Sequence, residues 1–227
     1  MTDSLQEAPR APWSCILFDL DGTITDSAPG ITATLSHTLE RMGLPVPAPA
    51  DLLEFVGPPI MDGFRDVVGL NPEQSAEALG LYRERYQSHG AFDSSVYAGV
   101  PQVLEAIHAA GVPLSLATSK PEAQARRILD HFGLDQNFTF IAGASDDEVR
   151  SEKTDVIAYA LENLRALNID LSSIVMVGDR KHDVHGAADH DIPTIFVEWG
   201  YGSEQEAVGA IAIAHTPAEL QTLLLGD

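Results

Sequence analysis

Short apolar runs alternate with helical patterns along most of the chain. Five runs have the length and composition of buried strands, at residues 15–18, 113–117, 138–142, 174–177 and 193–197. Between them apolar residues recur at helical spacing, for example at Val156, Ala160 and Leu164. A further helix is predicted to begin at Thr216 and Pro217. This alternation predicts an α/β fold with a Rossmann-like parallel sheet joined by right-handed helical crossovers.

One stretch breaks the alternation. Residues 27–95 contain helical patterns separated by Pro and Gly, most clearly at 29–42 and 72–88, but no convincing strand. We therefore predict an α/β core domain at residues 1–26 and 96–227, and a small all-helical cap domain at residues 27–95 inserted after the first strand. Two short segments, near residues 25–28 and 94–97, are expected to act as hinges, and residues 1–13 are expected to form a mobile tail.

Composition and charge narrow the class of protein. The chain has 227 residues, of which 44% are hydrophobic, so an ordinary core is expected. Cys15 is the single cysteine, which excludes an internal disulfide. No leader and no apolar stretch of membrane-spanning length is recognisable, which predicts a cytoplasmic protein with no membrane partner. The net charge of −21 disfavours binding to nucleic acid or anionic lipid, because like charges repel.

The polar residues that follow the predicted strands suggest chemistry. Asp19 and Asp21 follow the first strand, Thr118 the second, and Asp179 and Asp183 the fourth. In an open parallel sheet, ligands bind beyond the carboxyl ends of the strands, so these side chains are expected to converge. Several carboxylates in one crevice repel one another, and a divalent cation relieves that repulsion. Hard oxygen ligands favour Mg²⁺.

The same residues carry a resemblance to a known family. Asp19-Leu20-Asp21-Gly22-Thr23, then Thr118, then Lys153, then Gly178-Asp179 with Asp183, resemble in this order the four motifs of the haloacid dehalogenase superfamily. The resemblance covers nearly the whole chain, and the helical insertion resembles the superfamily's small cap in its first position. The segments 55–59, 117–121 and 199–202 are similar to the phosphoglycolate phosphatase-like branch, which includes members described as 5′-nucleotidases.

The resemblance implies a phosphatase that cleaves small-molecule phosphate monoesters with the help of Mg²⁺. Asp19 is implied as the nucleophile that forms an aspartyl-phosphate, and Asp21 as the acid for the leaving group and then the base for water. Thr118 and Lys153 are implied to stabilise the transferring phosphoryl group. The implied substrate contacts are Gly22, Ser119 and Lys120, and the implied metal ligands are Asp19, the Asp21 carbonyl, Asp179 and Asp183.

Other functions stay open at this stage. A sugar phosphomutase needs a cationic grip on a second phosphate, for which Arg65, Arg83 and Arg85 are available. A receiver-like phospho-acceptor also uses acids, Thr and Lys on a parallel sheet, although it lacks a large insertion after its first strand. A dehalogenase has no need of Asp21, and a phosphonoacetaldehyde hydrolase needs a cap lysine that residues 27–95 do not contain. The oligomeric state is not readable from the sequence.

Several conspicuous residues have two interpretations. His182, His185 and His190 lie among aspartates, which permits a zinc site but is more typical of a solvated helix face. Arg150 is expected either to contact phosphate or to pair with Glu148 or Glu152. Cys15 is expected inside a strand, and Trp199 and Tyr201 are expected beside the entrance to the site.

Overall fold

A six-stranded parallel sheet forms the centre of the protein in a computed structural model that describes residues 12–226. The spatial order of its strands is β5-β4-β1-β6-β7-β8, and every neighbouring pair is parallel. Two further short strands, β2 and β3, pair with each other. The strands are β1 Cys15–Phe18, β2 Thr25–Asp26, β3 Ser95–Val96, β4 Leu114–Pro121, β5 Phe140–Ala144, β6 Ile174–Gly178, β7 Thr194–Val197 and β8 Ala212–Ala214. The predicted α/β class is confirmed.

Helices cover both faces of this sheet and fill the long segment between β2 and β3. Within that segment lie α1 Ala28–Arg41, α2 Pro49–Leu52, α3 Ile60–Asp66 and α4 Pro72–Ser88. The other helices are α5 Val100–Ala109, α6 Glu122–His131, α7 Lys153–Ala166, α8 Lys181–Ala188 and α9 Pro217–Leu225. Helix α9 begins as expected, because the Thr216 hydroxyl accepts a hydrogen bond from the Glu219 amide at 3.2 Å.

Strand β1 shows how the core is divided. Its four side chains are fully buried and alternate between the two faces of the sheet, as a period of two requires. Cys15 and Leu17 pack into the cluster that includes α7, whereas Ile16 and Phe18 pack into the cluster that includes α5 and α9. Because both faces are covered, the central strands β1 and β6 are continuous apolar runs and do not alternate.

The helical segment has a core of its own, and we refer to residues 27–95 as the cap. Leu35, Phe64 and Tyr82 are among the buried residues of this separate cluster. The two connections to the rest of the chain run side by side as β2 and β3, with Thr25 opposite Val96. The segments predicted as hinges are thus paired strands, and their motion stays a prediction.

Some boundaries differ from the expectation. Strand β4 continues to Pro121 because pairing with β5 resumes there after a register shift that begins at Ala117. Strand β5 begins at Phe140, two residues late, because a 3₁₀ turn at Asp135–Asn137 precedes it. Strand β8 is not anticipated by the sequence pattern, since it has three residues of which Ile213 is exposed.

The structure describes only the end of the predicted N-terminal tail. Residues 1–11 lie outside the described part of the chain. For Trp13 the expectation of a mobile tail is wrong, because its indole donates to the Leu223 carbonyl at 3.2 Å and packs on the core. Across residues 12–226, the helices are all too short or too polar to span a bilayer.

Candidate active site

The order of the strands places the candidate residues at one edge of the sheet. Strand β1 lies between β4 and β6, so Asp19 and Asp179 directly follow two adjacent strands and Thr118 lies in the second half of the third, β4. Lys153 reaches this edge from the first turn of α7. Its ammonium lies 2.8 Å from Asp19 Oδ1 and 2.7 Å from Asp183 Oδ1, and the side chain is only 3% exposed. The sequence-predicted cluster therefore exists in space.

Three carboxylates of the cluster fit a divalent cation. One oxygen from each of Asp19, Asp179 and Asp183 lies within 4.8 Å of the others, and all three residues are buried. Asp179 is oriented by the Thr23 hydroxyl at 3.0 Å and by the Tyr201 amide at 2.8 Å. A set made only of carboxylate oxygens suits Mg²⁺ better than a softer metal. The Asp21 carboxylate is outside this set, which leaves only its carbonyl for the implied metal contact.

The electrostatics of the cluster point the same way. Burial raises the pKa of Asp19 to about 6, against the opposing pull of Lys153 and with the help of Asp183. The pKa of Asp179 is also raised well above its ordinary value, first by burial and then by the neighbouring acids. Burial tends to lower the pKa of Lys153, but Asp183 and Asp19 outweigh it, so the net shift is upward. The Lys153 ammonium pairs with only two of the three acids, Asp19 and Asp183, and the excess negative charge of the cluster calls for a cation.

Asp21 lies beside this cluster but has different partners. Its Oδ2 is 2.8 Å from the Lys120 ammonium, and both side chains are nearly inaccessible to solvent. Its Oδ1 is buried and accepts no hydrogen bond from the described residues. Lys120 also donates to the Tyr86 hydroxyl of the cap at 3.0 Å. Although Asp19 and Asp21 are only two residues apart in sequence, each is therefore paired with a different lysine.

The remaining predicted residues surround these acids. Thr118 is buried, and its hydroxyl accepts from the Lys120 amide at 3.3 Å. The Ser119 hydroxyl is buried without a partner in the described structure and faces the cavity beside Asp21, so it is available to a ligand. Gly22 has φ +89°, and a Cβ there would lie 2.2 Å from the Asp179 carboxylate. Only glycine permits this approach. The substrate roles of Gly22, Ser119 and Lys120 stay predictions.

A cavity of about 310 Å³ opens between the cap and the core. At one end it reaches Asp21, Ser119 and Lys120. Its walls include apolar side chains of the cap, namely Ile31, Phe55, Pro58, Ile60, Leu79 and Tyr82. Charged and amide side chains also line it, namely Arg83, Gln87, Gln124, Asp146 and Glu148. The size and the mixed lining are typical of a small-molecule site.

Two arginines hold the cap over this cavity. Arg83 of α4 donates to the Asp146 carbonyl at 3.0 Å and forms an ion pair with Glu148. Arg180, which is 4% exposed, donates to the carbonyl of Val56 in the cap and pairs with Glu206 at 2.8 Å. Arg180 directly follows Gly178-Asp179 in the sequence. Its buried contact with the cap has no sequence signal.

Tyr201 is a second residue whose contribution the sequence left undefined. Its backbone amide holds Asp179. Its hydroxyl accepts from the amides of Ser27 and Ala28 at 2.7 and 2.9 Å, at the start of α1. Gly200 and Gly202 permit this close packing, because a Cβ at either would come within 2.3 Å of an atom of Asp179. The glycines on both sides of Tyr201 are the sequence feature from which this close packing could have been predicted. Residues 199–202 therefore support both the acidic cluster and the start of α1.

The other conspicuous residues are explained by local structure. Across the described residues, no histidine belongs to the acidic cluster, and the ring of His190 contacts the Thr154 carbonyl at 2.8 Å. Arg150 stacks on the Tyr159 ring at 3.6 Å and lies 3.6 Å from Glu122, so its ion pair is not with Glu148 or Glu152. Cys15 is buried in β1, as expected.

The fold and the cluster together define a class of protein. The model of the haloacid dehalogenase-like hydrolases matches residues 16–197, and the chain belongs to this family. The predicted resemblance is therefore confirmed, as is the expectation of an enzyme of this hydrolase family.

Particular relatives place the chain within the family. It is 48% identical over 187 residues to the "Tyrosine-protein kinase PtkA" of Mycobacterium tuberculosis, covering 82% of this chain and 62% of that protein. It is 39% identical over 191 residues to a "5'-nucleotidase" of Pseudomonas aeruginosa, covering 84% and 85%. A "Phosphoglycolate phosphatase" of Chromobacterium violaceum is 31% identical over 219 residues, covering 92% and 95%.

A solved structure supports the same placement. A "predicted phosphatase" from Clostridium acetobutylicum superposes with a TM-score of 0.87 at 38% identity, covering 92% of this chain and 97% of that one. The chain spans less than two thirds of the length of the kinase relative but nearly all of this solved chain.

Proposed function

We propose that this protein is a Mg²⁺-dependent phosphatase that hydrolyses monoesters through an aspartyl-phosphate on Asp19, with a 5′-nucleotidase-like preference for uncharged, ring-bearing leaving groups. The observation that carries the proposal is the separate pairing of the two acids. Asp19 is bound by Lys153 beside Asp179 and Asp183, while Asp21, a cavity-lining residue, is bound by Lys120 through one oxygen and has no hydrogen-bond partner among the described residues for the other. The two carboxyl groups are thus set up for different tasks.

The chemistry follows from these positions. An oxygen of Asp19 attacks phosphorus, the bond between phosphorus and the ester oxygen breaks, and Asp21 gives its proton to the departing oxygen. Asp21, now a carboxylate, takes a proton from water, whose oxygen displaces phosphate from Asp19 and restores the enzyme. Lys153 offsets the negative charge of Asp19 as the dianionic ester approaches. Asp19, Asp179 and Asp183 would hold Mg²⁺, which when bound would supply further neutralisation of the phosphoryl charge.

The charges of the cavity favour an uncharged leaving group. The acidic and basic side chains of its lining are Asp21, Lys120, Arg83, Asp146 and Glu148, which gives three acids against two cations. Arg83 is already paired with Glu148, so it offers no free grip for a second phosphate or for a carboxylate. This disfavours a sugar phosphomutase and an anionic leaving group such as glycolate. A nucleoside offers a neutral ring for the apolar wall and polar edges for the amides of Gln87 and Gln124.

The cap is part of the proposal. Its own core, its paired connections and its position over the cavity support a separate unit, residues 27–95, that opens and closes on the core. Closure excludes bulk water from the aspartyl-phosphate, while one water must still reach the intermediate to hydrolyse it.

The covalent step is tested by rapid acid quench and intact mass measurement during turnover of p-nitrophenyl phosphate. We expect one added phosphoryl group on the native protein and none on Asp19→Asn, which also loses at least a hundredfold in kcat. Asp21→Asn is the matched control, because it makes the same acid-to-amide change nearby yet keeps the nucleophile, so it should still label. Labelling of Asp19→Asn contradicts the nucleophile assignment. Phosphate release without added acceptor excludes a receiver, which does not turn over, and shows that water is the acceptor.

The substrate is tested separately with purine and pyrimidine nucleoside 5′-monophosphates, 2-phosphoglycolate and a sugar bisphosphate. We expect kcat/KM for at least one nucleotide to exceed that for phosphoglycolate by about tenfold or more, because one unfavourable charge at close range costs about 1.4 kcal/mol or more. The reverse order contradicts the charge argument and leaves the phosphatase reaction standing.

A further inference from the structure

Two polar contacts in series connect Asp21, the candidate general acid and base, to the cap. Asp21 Oδ2 lies 2.8 Å from the Lys120 ammonium, and that ammonium donates to the Tyr86 hydroxyl at 3.0 Å. Asp21 and Lys120 belong to the core, whereas Tyr86 belongs to α4 of the cap. All three residues are less than 9% exposed. Bulk water therefore does not supply the hydrogen bonds that these groups need.

Lys120 fixes the orientation of the Asp21 carboxyl group. One oxygen of Asp21 faces Lys120, while the other has no partner in the described structure and is the one available to a leaving group. A lysine side chain has a flexible four-carbon stem, and holding it in one conformation costs rotamer entropy. The Tyr86 hydroxyl is the cap group that holds the end of this stem in place.

We infer that Tyr86 is a positioning residue that acts through Lys120 to aim Asp21 at the leaving-group oxygen, so that proton transfer becomes efficient only when the cap rests on the core. The inference rests on the proposed phosphatase reaction. It assigns to the cap a part in the chemistry besides enclosing the substrate. A poor leaving group cannot depart without a proton, so such substrates are cleaved only in the closed arrangement.

The neighbouring Tyr82 provides a control that distinguishes the positioning role of Tyr86 from the packing of its ring. The Tyr82 and Tyr86 rings are stacked, with centroids 5.4 Å apart and planes 11° from parallel, and both residues are buried cavity-lining residues of α4. In the described structure, only the Tyr86 hydroxyl of the two contacts Lys120. Removing either hydroxyl leaves the rings stacked. Tyr86→Phe and Tyr82→Phe are therefore matched variants that differ in the Lys120 contact.

The experiment compares phenyl phosphate with p-nitrophenyl phosphate, which share a ring but differ in how readily the phenolate departs. In Tyr86→Phe we expect kcat for phenyl phosphate to fall about tenfold, a part of the 10²- to 10⁴-fold that general acid catalysis supplies. For p-nitrophenyl phosphate we expect less than about a twofold change, with KM little altered for both esters. Tyr82→Phe removes no hydrogen bond to Lys120, so any loss it causes should be the same for both esters.

A double variant tests the route through Lys120. Lys120→Met should show the same dependence on the leaving group, and Tyr86→Phe added to Lys120→Met should cause no further loss, because the two residues act in series. Equal losses for both esters in Tyr86→Phe, or the same effect in Tyr82→Phe, would overturn the inference in favour of packing. Additive losses in the double variant would overturn the route through Lys120. A native protein that cleaves no ester overturns the proposed function itself, which is a different result.

Discussion

Removal of the metal should make the stability of the folded protein depend on pH in an unusual direction. Most carboxylates favour folding when ionised, but Asp19 and Asp179 are buried beside another acid, and burial raises the pKa of both. The folded protein then binds their protons more tightly than the unfolded chain does. The free energy of unfolding of the metal-free protein should therefore fall as pH rises through the window between the unfolded and folded pKa values.

The magnitude follows from the shift. For Asp19, a rise from 3.8 to about 6 corresponds to about 3 kcal/mol, of which about half lies above pH 5. Asp179 is shifted in the same direction and adds to the loss. Mg²⁺ binds the ionised acids, so it should stabilise the protein little at pH 5 and by about 3 kcal/mol at pH 8 when present at a hundred times its dissociation constant.

The assay is urea unfolding followed by tryptophan fluorescence at pH 5, 6, 7 and 8, in EDTA and in excess MgCl₂. Asp179→Asn should flatten the pH dependence and weaken the effect of Mg²⁺, because it removes one of the shifted acids. Glu77→Gln, an acid-to-amide change at an exposed position of α4, is the control and should alter neither. Metal-free stability that stays level or rises from pH 5 to pH 8 would refute the reasoning, as would equal stabilisation by Mg²⁺ at both ends of the range.

Two further predictions concern the cap. Arg180→Gln removes the guanidinium that binds the Val56 carbonyl and Glu206, so we expect unfolding to become easier by about 1–3 kcal/mol and KM for a nucleoside monophosphate to rise. Arg180→Lys retains a cation for the ion pair, so its KM should lie between those of the native protein and Arg180→Gln. A KM as high as that of Arg180→Gln would indicate general damage to the structure. Replacing Pro59 and Ile60 together with alanine should reorder kcat/KM among bulky esters while acetyl phosphate changes little, because Ile60 lines the cavity wall; equal losses for all esters would assign that loop to folding.

The sheet and the acidic cluster were predictable for a simple reason. Runs of four or five apolar residues between helical patterns admit few arrangements other than a parallel sheet, and parallel strands end at one edge. Asp19, Thr118 and Asp179 could be predicted to lie together because each is near the carboxyl end of its strand. Errors of two residues in a strand boundary, as at β5, did not change this prediction. Strand β8 escaped prediction because three residues with an exposed Ile213 carry no periodic signal.

The contacts between cap and core were not predictable from patterns. Tyr86 and Lys120 are 34 residues apart in sequence, and Arg180 and Val56 are 124 apart. Periodicity shows which face of a helix is buried but not which side chain of another unit it meets. The direction in which the cap settles depends on packing of side chains such as Arg180 against Gly57, whose φ of +106° and missing Cβ leave space for the arginine stem.

The distribution of lysines connects the charge of the chain with its chemistry. The chain is strongly acidic and contains three lysines, of which Lys120 and Lys153 are buried at the candidate site. Burial alone would lower the pKa of both, but the carboxylates beside them raise it, so both are cations at neutral pH. Because each lysine binds a different acid, Asp19 and Asp21 are kept electrostatically distinct although they are two residues apart. The unpaired positive charge that an ester needs at its phosphate is then left to the proposed Mg²⁺, and Asp146 and Glu148 in the cavity lining disfavour a second anionic group on the ester.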